Sequence, residues 1–209
     1  MMPMALLMMA SSGLAPYAMR RIGPRLTMST GIFLGGAGLA LMAMRVSADG
    51  GYLSVLSGMM TMGLGMGLSM TPSTEAITSA LPRDRQGVAS ALNDVTREFG
   101  TALGVALLGA VLTAGYRTAI DSRLDGVPET TADTAREGIA NVLAVADNSA
   151  DPAALIDAAQ VSFVERWQQS MWSGVAAMAV LFAFVLLRGP NRTTTNNEIN
   201  EPNQAEGAK

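Results

Sequence analysis

Residues Gly63 to Ala76 read GLGMGLSMTPSTEA, and the meaning of this glycine-studded, methionine-rich run decides the fold. A dinucleotide-binding loop needs a preceding strand and G-x-G-x-x-G spacing. Here Gly63, Gly65 and Gly67 simply alternate, with Ser69 and Met70 after them. On a helix, residues four apart share a face, so Gly63 and Gly67 form a G-x-x-x-G groove, with Thr71 one turn further, into which another helix can pack closely. Met62, Met66 and Met70 fall on the adjacent face, and Pro72 removes a backbone hydrogen bond and is expected to kink the end of the span. One reading is helix packing beside lipid-facing methionine. The other is a kinked, glycine-lined helix whose methionine face lines a cavity and moves.

The sequence around this stretch is that of a membrane protein. Of 209 residues, 49% are hydrophobic and only 15% charged, and mean hydropathy is positive. The apolar residues come in blocks. Uncharged runs extend from Met1 to Met19 and lie between Arg25 and Arg45, between Asp49 and Glu75, between Glu98 and Arg117 and between Arg166 and Arg188. A helix rising ~1.5 Å per residue crosses ~30 Å of hydrocarbon in runs of about this length. The first basic residue, Arg20, follows the first run instead of preceding it, so that run reads as a span and not as a signal peptide. Five spans are an odd set and the chain opens inside hydrophobic sequence, which leads to the expectation of a C-terminal portion of something larger.

The absence of cysteine and histidine removes disulfides, thiolate nucleophiles, Cys/His metal sites and Ser-His-Asp arrangements, so the expectation is no enzyme, no metal and no cofactor. A net charge of -3 does not suit a nucleic-acid partner.

Short loops orient the spans. GLAPYAMRRIGPR ends the first, with Pro16, Arg20, Arg21, Gly23, Pro24 and Arg25 expected to break the helix and to lie in the cytoplasm. The second span (about Leu26 to Met44) turns at Asp49-Gly50-Gly51 into the third (about Leu53 to Leu81). LPRDRQG follows, with Arg83 and Arg85 placing it on the same side as the first loop. The fourth span (about Val88 to Tyr116) leads outward into a segment holding most of the acidic residues. There Thr134 and Glu137 have capping-box spacing, and Asp151-Pro152 looks like an N-cap before proline at the first helical position. Two external helices are expected, the second passing Trp167 and Trp172 into the last span. The layout is four spans over residues 1–115, an extracytoplasmic helical loop over 116–166, the last span over 167–188 and a disordered cytoplasmic tail over 189–209. The protein is expected to be multi-pass in the cell (inner) membrane with its C-terminus cytoplasmic. The sequon Asn191-Arg192-Thr193 carries no meaning on that side.

Charges within the spans are scarce. Glu75 follows Pro72 by three residues, and NDVTREFG opens the fourth span with Asn93, Asp94, Arg97 and Glu98. Asp94 and Arg97 can pair on one face; intramembrane charges face protein or water and mark function by default, though an interfacial ion pair near the loop is the plainer reading. GTALGVALLGA gives Gly100 and Gly104 a second close-packing groove.

Taken together, GLGMGLSMTPSTEAITSALPRDRQGVASALNDVTREFGTALGVALLGAVL resembles the late spans of the major facilitator superfamily, specifically its fourteen-span drug:proton antiporters of the multidrug-efflux type. RRIGPR is similar to that superfamily's cytoplasmic R-x-G-R loop motif, with Arg21, Gly23 and Arg25 at matching positions. The motif's aspartate is missing, and Arg20 stands near its place. The resemblance implies an all-α integral membrane protein whose five helices form part of a major-facilitator C-terminal bundle. It implies that the third span lines the central cavity with Met62, Met66, Ser69, Met70 and Ser73, and that Arg21, Gly23 and Arg25 serve loop gating. It also implies a proton gradient as the energy source and, as partners, the lipid bilayer, amphipathic organic small molecules and the N-terminal transporter spans. Those spans carry most of the acidic residues such proteins use for coupling, so Glu75 and Asp94 are not assigned that role. The alternative function is a truncated, non-transporting membrane protein that acts only as a helix-packing partner.

Overall fold

The computed structural model describes residues 2–47, 51–80, 82 and 85–189, with Asn148 described in its backbone only. Among the described residues seven α-helices follow one another: α1 (Met2–Ile22), α2 (Pro24–Arg45), α3 (Gly51–Ser79), α4 (Gln86–Asp121), α5 (Glu129–Glu137), α6 (Ile139–Val145) and α7 (Pro152–Arg188), with a 3-10 turn at Ala146–Asn148 before α7. No strand occurs among the described residues. Five of the helices, α1, α2, α3, α4 and α7, are long and apolar enough to cross a membrane, as the charge-free runs indicate.

The first turn is shorter than the sequence suggests. Pro16 lies inside α1, and the chain reverses at Gly23 alone, whose φ of 91° is the left-handed conformation that ends helices at glycine. Its N–H donates to the Met19 carbonyl at 2.9 Å, and its own carbonyl receives the Thr27 N–H at 3.1 Å and the Thr27 hydroxyl at 2.8 Å. Pro24 then opens α2 at the position where a missing N–H costs nothing. A proline within a membrane helix leaves one carbonyl without its helical donor, which neighbouring groups can satisfy; Pro16 therefore need not stop α1. Likewise α3 runs unbroken through Pro72, which is fully buried.

Asp49 and Gly50 of the expected α2–α3 turn, Arg83 of the LPRDRQG loop, the sequon and residues 190–209 of the tail lie outside the described residues. On the described side of that loop, the Gln86 side chain donates to the Thr78 carbonyl at 3.1 Å.

Between α4 and α7 there are two short helices and the 3-10 turn where one helix was expected, the second expected helix being the start of α7. Thr134 is not a cap: it sits inside α5, and its hydroxyl donates to the Thr130 carbonyl at 3.0 Å. Pro128 caps the start of α5, its carbonyl accepting from the N–H groups of Thr131 and Ala132. Asp151 does cap α7, its Oδ1 accepting from the Ala154 N–H at 3.0 Å. From there α7 continues without a break past Trp167 and Trp172 to Arg188. Residue 116 lies inside α4, and residues 166 and 167 lie inside α7, so both helices continue from the spans into the loop region.

The chain divides into two compact units. The first comprises Met1–Gly38, Met59–Arg97 and Ala176–Lys209; the second comprises Leu39–Gly58 and Glu98–Val175. In the first unit α3 packs on both α1 and α2. The second unit has an interior of the kind found in water-soluble proteins, in which Tyr116, Ile120, Leu124, Ala132, Val142 and Leu155 are buried together. Arg136 holds its surface together, hydrogen-bonding Asp121 and Asp133 at 2.8 Å and Glu129 at 3.2 Å. These carboxylates, Asp121 first, raise its affinity for its proton still further. Arg123 reaches both Glu165 oxygens, at 3.1 and 3.2 Å, and the Ser162 hydroxyl at 2.6 Å.

Candidate functional site

The alternating glycines of α3 serve two partners. At about 100° per residue, Gly67 lies about 40° from Gly63, whereas Gly65 lies about 200° round, on the opposite side of the helix. A Cβ at Gly63 would stand 2.8 Å from the Met4 carbonyl oxygen, and one at Gly67 would stand 2.5 Å from the Met8 carbonyl and 2.9 Å from the Ser12 nitrogen. That face rests on α1. A Cβ at Gly65 would stand 2.6 Å from the Gly31 carbonyl and 3.0 Å from the Gly35 Cα, and one at Gly31 would meet the Ser69 nitrogen at 2.6 Å. The opposite face rests on α2, glycine against glycine. Thus α3 is held on both sides at backbone distance, the approach small residues permit in a membrane, where packing replaces hydrophobic burial as the force between helices.

Polar groups line these seams. The Ser11 hydroxyl donates to the Met8 carbonyl at 3.1 Å, and Ser12 and Thr71 share a 3.4 Å hydrogen bond between α1 and α3. Gly31 and Gly35 were not singled out from the sequence, although their own G-x-x-x-G spacing in α2 was the available signal.

With both glycine faces occupied, Met62, Met66, Met70, Ser69 and Ser73 fall on one edge of α3, spread over about 100° of arc. Met66 is exposed, and the other four are half-buried. The Ser69 hydroxyl is turned back onto its own helix, donating to the Gly65 carbonyl at 2.9 Å and lying 3.3 Å from that of Met66. The edge therefore presents a polarizable thioether surface more than hydrogen-bond donors.

The remaining residues singled out from sequence are dispersed. Gly100 and Gly104 have nothing within 4 Å of an added Cβ, so no described helix fills the close-packing groove expected there. The apolar stretch of α4 is the least buried of the five long helices. Glu75, Asp94, Arg97 and Glu98 are exposed, while Asn93 is buried. At the α1–α2 turn, the Arg21 guanidinium lies 5.3 Å over the Tyr17 ring. The Arg25 side chain approaches the end of α7, its Cγ lying 3.1 Å from where a Gly189 Cβ would be.

No family model matches the chain. Among curated proteins, it is 30% identical over 188 residues to the multidrug efflux pump LfrA of Mycolicibacterium smegmatis, a match covering 89% of this chain and 35% of LfrA. It is 31% identical over 119 residues to the multidrug resistance protein Stp of Mycobacterium tuberculosis, covering 56% of this chain and 22% of Stp. It is 30% identical over 114 residues to the multidrug transporter protein MdtP of Bacillus subtilis, covering 54% of this chain and 21% of MdtP. The chain thus spans about a third of the length of LfrA.

Proposed function

We infer that this chain, a homologue of multidrug efflux pumps, forms the C-terminal part of a major-facilitator exporter of amphipathic organic compounds driven by a proton gradient. The observation that carries this reading is the similarity to LfrA along 89% of the chain. In such a cycle two helical bundles rock around a site near the bilayer midplane. The Met62–Met66–Met70 edge of α3, left uncovered by α1 and α2, faces that site, and the close glycine contacts keep α1, α2 and α3 moving as one body. The α1–α2 turn and Gln86 lie in the cytoplasm, since arginine-bearing short loops remain inside. The α5–α6 region lies outside.

The test is efflux of a cationic amphipathic dye from proteoliposomes under an imposed pH gradient. The chain alone is expected not to transport, because one bundle lacks a second wall to enclose a site. Reconstituted together with the N-terminal two thirds of LfrA, it is expected to give gradient-dependent efflux. No efflux from that pair would count against a transport role, and saturable efflux from the chain alone would show that it needs no second bundle. Orientation is checked separately. Single cysteines replacing Gln86 and Ser149 should react with an impermeant thiol reagent from opposite sides of the membrane.

A further inference from the structure

Arginines gather at one end of the first unit. Arg20 and Arg21 close α1, Arg25 lies in the first turn of α2, and Arg188 closes α7 beside Gly189, against which the Arg25 side chain packs. Neither α1 nor α2 contains an acidic residue, and α7 has none beyond Glu165; on α3, which packs on α1, the exposed Glu75 lies one turn past Thr71 toward this end. Arg21 is exposed and stacked on Tyr17, an arrangement that leaves a guanidinium edge able to take two oxygens of a phosphate. Just below these cations the surface is apolar and exposed: Leu14 62%, Tyr17 58%, Ile22 47% and Leu26 48%. Cations above an apolar wall complement an amphipathic anion.

We propose that the α1–α2 turn and the end of α7 form a binding site for an anionic phospholipid, with the headgroup phosphate on Arg21 and Arg188 and an acyl chain along Leu14, Ile22 and Leu26. An acidic polypeptide segment would satisfy the arginines but not the apolar wall. A bilayer lipid supplies both, and Tyr17 sits where aromatic side chains meet headgroups. Arg20 and Arg25 make further contacts of their own, so the lipid depends on Arg21 and Arg188. The site is independent of the transport reading, since it needs only a membrane with anionic lipid.

The experiment measures lipid retention by native mass spectrometry and melting temperature of the full chain in detergent, with added phosphatidylglycerol, phosphatidylcholine or inorganic phosphate. Phosphatidylglycerol should be retained and should raise the melting temperature; phosphatidylcholine should do so far less, and phosphate, lacking chains, not at all. Because a basic side chain near an anionic surface contributes about fivefold in affinity, Arg21→Gln with Arg188→Gln should weaken retention by about 25-fold. Arg45→Gln, which removes an equal charge at the other end of α2, should leave retention unchanged. If the double variant does not fold, the wild-type chain still decides: raising the salt should release phosphatidylglycerol more readily than phosphatidylcholine. Equal retention of the two lipids, an Arg45→Gln loss matching the double variant, or stabilisation by phosphate alone would overturn the site.

Discussion

In the first unit, a Cβ added at Gly65 would stand 2.6 Å from the Gly31 carbonyl; in the second, Ile120 and Val142 are wholly buried in an interior closed over by the ion pairs of Arg136. The first unit is held by the shape of its backbones and the second by apolar burial and charge. The difference follows from the solvent each suits. Lipid tails are as apolar as leucine, so burying leucine between membrane helices gains little, and close contact between small residues must supply the attraction. Water rewards burial of Ile120 by roughly 1.5–3 kcal/mol and tolerates the exposed carboxylates of Asp121, Glu129 and Asp133. The second unit also ties α7 down through side chains that bond to backbone, Ser170 to the Leu108 carbonyl at 3.0 Å and Gln168 to the Val46 carbonyl at 2.6 Å.

If this contrast is right, the two units should fail in different ways. The largest effect is expected for Ile120→Ala, which opens a cavity in the second unit and should cost on the order of 3 kcal/mol, seen as a lowered melting temperature in detergent. A cost no larger than that of an exposed substitution such as Leu143→Ala would mean that this interior does not exist in solution.

Next is Gly65→Leu, expected to cost about 1–3 kcal/mol, toward the upper end because the atoms in its way are backbone and cannot swing aside. Met66→Leu, on the open edge one residue away, conserves volume and should change stability by well under 1 kcal/mol. Equal melting temperatures for the two variants would place the glycine faces against lipid and remove the distinction between units.

These outcomes also mark what could be read from the sequence. The spans were legible because a charge inside hydrocarbon is costly, so charge-free runs mark helices directly. Gly63 and Gly67 were legible as a groove because four-residue spacing is a property of one helix. Gly65 was not, because its role depends on Gly31 and Gly35 in α2, and no single-helix pattern says which helix lies opposite. Pro16 and Thr134 misled for a related reason. Local rules make proline a helix breaker and Thr-x-x-Glu a cap, but Gly23 and Pro128 were nearby to end and start the helices instead. Of the candidate site, the methionine edge was visible as periodicity, whereas the turn of the Ser69 hydroxyl back onto the Gly65 carbonyl depends on the folded helix.

A smaller effect, different in kind, is expected for Arg136→Gln. It removes three ion pairs, each with an exposed carboxylate, so the melting temperature should fall at low salt and the deficit should close near 1 M salt, where screening acts within about 3 Å. The Gly65→Leu deficit, being steric, should be the same at both salt concentrations. A Gly65→Leu deficit that also vanished in salt would mean that charge, not shape, holds the first unit.

The smallest effect is expected for Gly100→Ala combined with Gly104→Ala, and here the comparison turns back on α4 itself. Both glycines have the spacing of Gly63 and Gly67, yet an added Cβ at either meets nothing within 4 Å. In the chain alone the double variant should therefore be neutral or gain up to about 1 kcal/mol per site, because alanine gives up less backbone freedom in a helix than glycine does. The same variant mixed with the N-terminal portion of LfrA discriminates between two surroundings for this stretch of α4. If lipid covers it, the small gain should persist, because acyl chains move aside for a methyl group. If a helix of that LfrA portion packs there, each methyl group meets backbone as it would at Gly65. Assembly with the N-terminal portion of LfrA, measured as co-purification, should then fall while the isolated chain stays as stable as before.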